Sequence, residues 1–224
     1  MEPGFWHQRW QNNDIGFHQD RVNSFLQRYW QQLQLSPGAR VLVPCCGKSL
    51  DMLWLKDQGF DVLGIEISPV AVESFFAENY LQPLISEHEN CSISAIDGLQ
   101  ILCGDFFNMG MDDIEGVEAV YDRAAMIAMP PDMRASYCQH LQAITDRQIP
   151  ILLVTLEYPE SEMQGPPFSV NEQEIREHYE NDYRVSVLDT MDILADEPRF
   201  QQRGLSCLQE RVYLIMPCRN DDHA

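Results

Sequence analysis

Glu66 and the turn Cys45-Cys46-Gly47-Lys48 are the residues whose types and spacing best suit chemistry on a small ligand. A turn of small side chains lets a ligand approach the backbone, and an acidic residue ~20 positions on can accept hydrogen bonds from both hydroxyls of a ribose. The elements that must position them are legible on either side. Arg40–Pro44 is a short apolar run suited to a buried parallel strand. Ser49 stands where a helix cap is wanted, and Asp51 falls in the first turn of the helix that follows. Gly59 ends that helix, and Asp61–Glu66 is the next strand. Ligands of a doubly wound sheet bind outside the carboxyl ends of its strands, which places the turn and Glu66 on the binding rim. Two ligands suit this geometry, a dinucleotide and S-adenosylmethionine. A dinucleotide site usually shows GxGxxG, because the pyrophosphate lies on the helix N-terminus. The loop here is PCCGKS, with one glycine, which counts against a nicotinamide-dependent oxidoreductase. Cys45-Cys46 has neither CxxC spacing nor an obvious set of His partners, so no metal is expected.

The chain has 224 residues, enough for one substantial domain. Its formal charge of −20 argues against nucleic acid and against an anionic membrane surface as partners. No apolar run approaches the ~20 residues of a membrane span. The start, MEPGFWHQRW, lacks the basic head and apolar core of a signal peptide. Seven irregularly spread cysteines then read as reduced thiols of a cytoplasmic protein. A monomer is expected from size and from the lack of an obvious sticky face.

Val22, Phe25, Leu26, Tyr29, Trp30 and Leu33 recur at helical spacing, which predicts an amphipathic helix over 20–35, broken by Ser36-Pro37-Gly38. A second crossover helix is expected over 69–79. Ser92–Ile96 and Leu99–Cys103 flank Asp97-Gly98, a hairpin signal, with the second arm continuing as a core strand to about Asp105. Val117–Asp122 reads as a fourth core strand, 131–147 as a helix with Pro131 near its first position, and 149–156 as an apolar fifth strand. The proline-rich stretch 157–170 reads as a loop over the ligand mouth. A short helix over 171–179 begins with a possible Asn cap, and 184–190 and 207–216 alternate like an antiparallel pair. The domain therefore divides into an N-terminal lid and helix (1–38), a βα core (39–156) and a substrate-side loop with a terminal hairpin (157–224).

Several pieces, in order along nearly the whole chain, resemble the thiopurine S-methyltransferase family, particularly its bacterial branch. They are Trp6 and Trp10 with Phe17-His18, VPCCGKSLDMLWL, GFDVLGIEISPVAVESFF, GDFF at 104–107, YDRAAMIAMPP at 121–131 and QERVYLI. The resemblance implies a Rossmann-like class I fold with a seven-stranded, mostly parallel sheet in the order 3-2-1-4-5-7-6, a C-terminal antiparallel hairpin and an N-terminal helical lid. It implies S-adenosyl-L-methionine as cofactor, S-adenosyl-L-homocysteine as product, and methyl transfer to the sulfur of thiopurines or other aromatic and heterocyclic thiols. Bacterial relatives are also associated with selenium and tellurium species. Carried over residue by residue, Glu66 would hold the ribose, and Cys45 and Gly47 would pass under the methionine part. Many relatives have Leu at the position of Cys45. Trp10 would pack by the cofactor, Asp105 and Phe106 would meet the adenine, and Phe17 would border the substrate. Arg123 would sit at the cofactor near the substrate, and Arg199, with Arg203 close by, would face the substrate. In-line displacement from a sulfonium asks for orientation and exclusion of water, and no base–nucleophile–orienter triad is evident. The other reading of the same residues is a module that keeps the cofactor and no longer transfers.

Overall fold

The computed structural model describes residues 3–16 and 18–218. The chain falls into two compact units, Met1–Tyr121 and Asp122–Ala224. The first opens with α1 (Pro3–Gln11) and α2 (Ser24–Tyr29). Asn23 starts α2, its Oδ1 accepting from the N–H groups of Phe25 and Leu26 at 2.9 and 3.2 Å. Its own N–H donates to Asp51 Oδ1 at 2.8 Å, which holds Asn23 outside the helix. The helix expected over 20–35 therefore begins later, and it tightens to a 3₁₀ turn at Trp30–Leu33. Phe25, Leu26, Trp30 and Leu33 are buried, as the spacing predicts.

Then follow β1 (Arg40–Pro44), α3 (Asp51–Asp57), β2 (Asp61–Glu66), α4 (Pro69–Glu78), β3 (Leu84–Glu87), β4 (Ser92–Ile96), β5 (Leu99–Cys103) and β6 (Val117–Asp122). The six strands lie in the order β3-β4-β5-β2-β1-β6. β5, β2, β1 and β6 run parallel, which is the expected 3-2-1-4 of the core. Their interior is apolar: Val41, Leu42, Val62 and Leu63 are fully buried. Gly64 is required there, because a Cβ would come within 2.7 Å of Cys46 Sγ and 3.1 Å of Met52 Sδ. The buried Asp51 carboxylate also accepts from Tyr121 Oη at 3.0 Å, so one side chain links α2, α3 and β6.

The second unit contains α5 (Ala125–Ala128), α6 (Pro131–Ile144), β7 (Ile151–Glu157), α7 (Glu172–Tyr179), β8 (Tyr183–Asp192), α8 (Pro198–Gln202) and β9 (Gln209–Pro217). β9 runs antiparallel between β7 and β8, which is the expected 5-7-6. Asn171 caps α7 through Oδ1, which accepts from Glu174 N–H at 2.9 Å.

The expectation of seven strands is corrected to nine among the described residues. The Asp97-Gly98 hairpin lays β4 antiparallel on β5, from Ser92↔Cys103 to Ile96↔Leu99. β3 then pairs outside β4, from Leu84↔Ala95 to Glu87↔Ser92. β3 buries none of its four residues, so no alternation marks it in the sequence.

Candidate active site

The turn after β1 folds around Glu66. Parallel register sets Pro44 beside Ile65, so the chain leaving β1 passes the end of β2. Cys45 adopts the left-handed region, with φ of 48°, and Cys46 N–H donates back to Ile65 O at 2.9 Å. Gly47 is also left-handed (φ 54°), and its N–H reaches Glu66 Oε2 at 2.8 Å. Oε1 accepts from Ser68 N–H at the same distance. Each carboxylate oxygen of Glu66 thus accepts from a backbone N–H. Trp10, 6 % exposed at the end of α1, lies on this turn: a Cβ on Gly47 would be 3.1 Å from its six-membered ring. Lys48 is drawn away, its ammonium 2.6 Å from Glu78 on α4.

The end of β5 lies level with that of β2. Glu66 pairs with Cys103, and Gly104 N–H donates to Glu66 O at 2.9 Å. Asp105 follows at once, and its Oδ1 caps a 3₁₀ turn by accepting from Phe107 N–H at 3.0 Å. Phe106 is buried and meets Phe107 edge to face. Trp10, Cys45, Gly47, Glu66, Asp105 and Phe106 are therefore placed around the rim formed by β1, β2 and β5.

Burial dominates the electrostatics of this rim. It pushes the Glu66 carboxyl up to about 7, against the pull of the amides of Ser68, Gly47 and Ile67. Burial likewise drives the Cys46 thiol well above its ordinary value and Cys103 to about 11, with the nearby Glu66 charge adding to both. Neither offers a thiolate near neutral pH. Among the described residues, no three His, Cys, Asp or Glu side chains converge to hold a metal ion.

Arg123 and Arg199 belong to the second unit. Arg123 directly follows the last residue of β6 and is half-buried. Its neighbour Asp122 is buried, with Oδ1 accepting from the N–H groups of Ala125 and Met126 and Oδ2 accepting from Tyr137 Oη at 2.7 Å. Burial raises the Asp122 carboxyl to about 6, with these donors and the Arg123 charge pulling it down. Arg199, on α8, pairs with Glu197 at 3.1 Å and lies over the Phe200 ring at 4.7 Å. Arg203 reaches Met163 Sδ at 3.3 Å, in the 157–170 loop. That loop is tied down at both ends of its tip: Glu162 accepts from the N–H and hydroxyl of Ser206, and Phe168 N–H donates to Ile127 O at 2.7 Å. Phe17 lies outside the described residues.

The first-unit rim fits S-adenosylmethionine better than a dinucleotide. A carboxylate has about four acceptor sites, so its backbone donors do not exhaust it and leave room for a ribose hydroxyl. The Gly47 N–H, which a pyrophosphate would need, already donates to Glu66. A buried carboxylate beside the turn also repels a polyanion and favours a sulfonium.

Comparison with known proteins agrees. The family model described as Thiopurine S-methyltransferase (TPMT) matches residues 1–217. A thiopurine S-methyltransferase of Nitrosospira multiformis is 47% identical over 216 residues, covering 96% of this chain and 98% of that protein. One from Pseudomonas fluorescens is 50% identical over 218 residues, covering 96% and 99%. Among solved structures, a SAM-dependent methyltransferase from Anabaena variabilis superposes with a TM-score of 0.62 at 13% identity, over 96% of this chain and 95% of that one. The 1,6-didemethyltoxoflavin-N1-methyltransferase of Burkholderia thailandensis, with its substrate and S-adenosylhomocysteine bound, does so with a TM-score of 0.61 at 12% identity, over 96% and 87%. At such identities the superpositions establish the fold.

Proposed function

We propose, from the premise that this chain belongs to the thiopurine S-methyltransferase family, that it methylates the sulfur of thiopurines or of other aromatic and heterocyclic thiols. The enzyme is an S-adenosylmethionine-dependent methyltransferase. The observation that carries the site reading is Glu66, buried at the end of β2 with a backbone donor on each oxygen.

When bound, S-adenosylmethionine supplies a methyl group activated by its sulfonium. The residues of this chain then bind, orient and exclude water. Glu66 accepts a hydrogen bond from the ribose. The Cys45–Cys46–Gly47 backbone underlies the methionine part, where Gly47 keeps the surface low. Trp10 covers the turn, and its indole face favours a neighbouring cation. Asp105 and Phe106 border the adenine, the cap using only Oδ1 of Asp105. Arg123 and Arg199 act on the substrate side, where a guanidinium favours a thiolate over the neutral thiol. An aromatic thiol gives up its proton to solvent before it reacts, so the site needs little general-base help. The family match over residues 1–217 supports reading the whole chain as one methyltransferase domain. Seven cysteines, none of them in a disulfide, support a reducing, cytoplasmic setting, and a monomer acting on small molecules completes the reading.

Calorimetric titration with S-adenosylhomocysteine, with NAD as control, followed by turnover over a panel of thiols, tests this reading. S-adenosylhomocysteine binding and thiol methylation are expected. Binding without turnover of any thiol would leave a cofactor-binding module, and binding of NAD alone would overturn the site.

A further inference from the structure

We infer that Tyr137 and Arg134, on one face of α6, are positioning residues for thiol methylation, acting through the segment that carries Arg123. The inference rests on the substrate-side role proposed for Arg123. Three residues apart on a helix, the two side chains point the same way, and both are buried. They grip the segment 122–130 at opposite ends. Tyr137 Oη donates to Asp122 Oδ2 at 2.7 Å, just before Arg123. Arg134 Nε donates to Met129 O at 3.0 Å, at the far end. Between them, Phe168 N–H holds Ile127 O. Asp122 closes the arrangement from within, since its Oδ1 takes the N–H groups of Ala125 and Met126 and so fixes the bend on which Arg123 stands.

Arg134 extends the grip to the proline-rich loop. Its Nη2 donates to Ser169 O at 2.8 Å, its Nη1 pairs with Glu174, and its guanidinium lies 6.0 Å from the Phe168 ring. Ser169 in turn exchanges hydrogen bonds with the Tyr158 backbone at the end of β7. A fully buried arginine is a poor device for stability, because apolar residues of similar volume usually serve as well. What apolar residues cannot do is hold two carbonyl oxygens, those of Met129 and Ser169, at fixed positions. The segment bearing Arg123 and the loop 157–170 are thereby set by one helix.

The test is a cycle of Tyr137→Phe and Arg123→Ala, alone and combined, with S-adenosylhomocysteine affinity, kcat and KM measured for each. Tyr137→Phe keeps the ring and removes only the donor to Asp122. It should lower thiol kcat/KM about tenfold, while the S-adenosylhomocysteine dissociation constant stays within about twofold. With Arg123 already removed, the same change should cost less than about twofold, the non-additivity of residues acting through one another. Arg134→Lys should retain more turnover than Arg134→Met, since lysine keeps a donor for the carbonyls of Met129 and Ser169 and methionine has none. Wild-type turnover in Tyr137→Phe, or the same loss with and without Arg123, would overturn the inference while the proposed activity stands. Absence of thiol turnover by the unmodified enzyme would overturn both.

Discussion

A carboxyl group that backbone amides hold ionised while burial pushes it toward neutrality is poised between two states, and Glu66 is such a group. Without ligand it takes up a proton between the ordinary carboxylate range and about 7. The unfolded chain does not, so in that window the folded state holds more protons. Stability is then greatest below the window and falls as pH rises through it. Asp122, raised to about 6, slopes the same way, and Glu66→Gln isolates the Glu66 share. Thermal unfolding of the ligand-free Gln variant should fall less steeply between about pH 5 and about pH 8 than that of the wild type. Identical slopes would refute the assignment. Ribose hydroxyls prefer the ionised carboxylate, so S-adenosylhomocysteine should bind more weakly as pH falls below about 7. The Gln variant should bind about tenfold more weakly near neutral pH and lose most of this dependence. Glu66 and Gly47 were legible in the sequence because a strand, a turn and the next strand suffice to bring them together. Resemblance alone placed Trp10 by the cofactor, and the packing of its indole on Gly47 was not foreseen. The Asp122–Tyr137 and Arg134–Ser169 pairs were not foreseen, since nothing local says which buried polar groups will meet.

At the scale of elements, the β/α alternation was readable because each core strand is a short apolar run between turn residues. α2 shows where periodicity misleads. Its apolar spacing extends past both ends of the regular helix, and the start is decided by Asn23, whose side chain competes for the first N–H groups. Asn171 was read as a cap and is one. Asn171→Ala should therefore cost about 1 kcal/mol of stability, read as a lower urea midpoint with an unchanged slope. An unchanged midpoint would mean that water replaces the cap without loss. β3 escaped notice for the opposite reason: a strand that buries nothing needs no pattern, and only pairing with β4 creates it.

The whole molecule carries a formal charge of −20, and the thiol substrate proposed for it reacts as an anion. Such a field slows the approach of a thiolate, and salt relieves it by shortening the screening length from ~30 Å at 0.01 M to ~8 Å at 0.15 M. Turnover of a fully ionised aromatic thiol at low concentration should rise by about twofold or more over that range, while a neutral analogue changes little. A fall with salt would mean that the arginines dominate the field the substrate meets. The same charge decides how the protein behaves in the tube, and β3 shows why. Leu84 is 83% exposed and Ile85 68%, on a strand at the end of its run of six, with Tyr80 just before it at 95%. An unfinished rung of this kind invites another copy to lie alongside, and mutual repulsion of like-charged copies opposes it. Near the sequence pI of about 4.4 that repulsion vanishes while the rung remains. Solutions that stay clear at neutral pH should cloud on acidification well before the fold is lost, which sets the lower limit for purifying, storing and crystallising this enzyme.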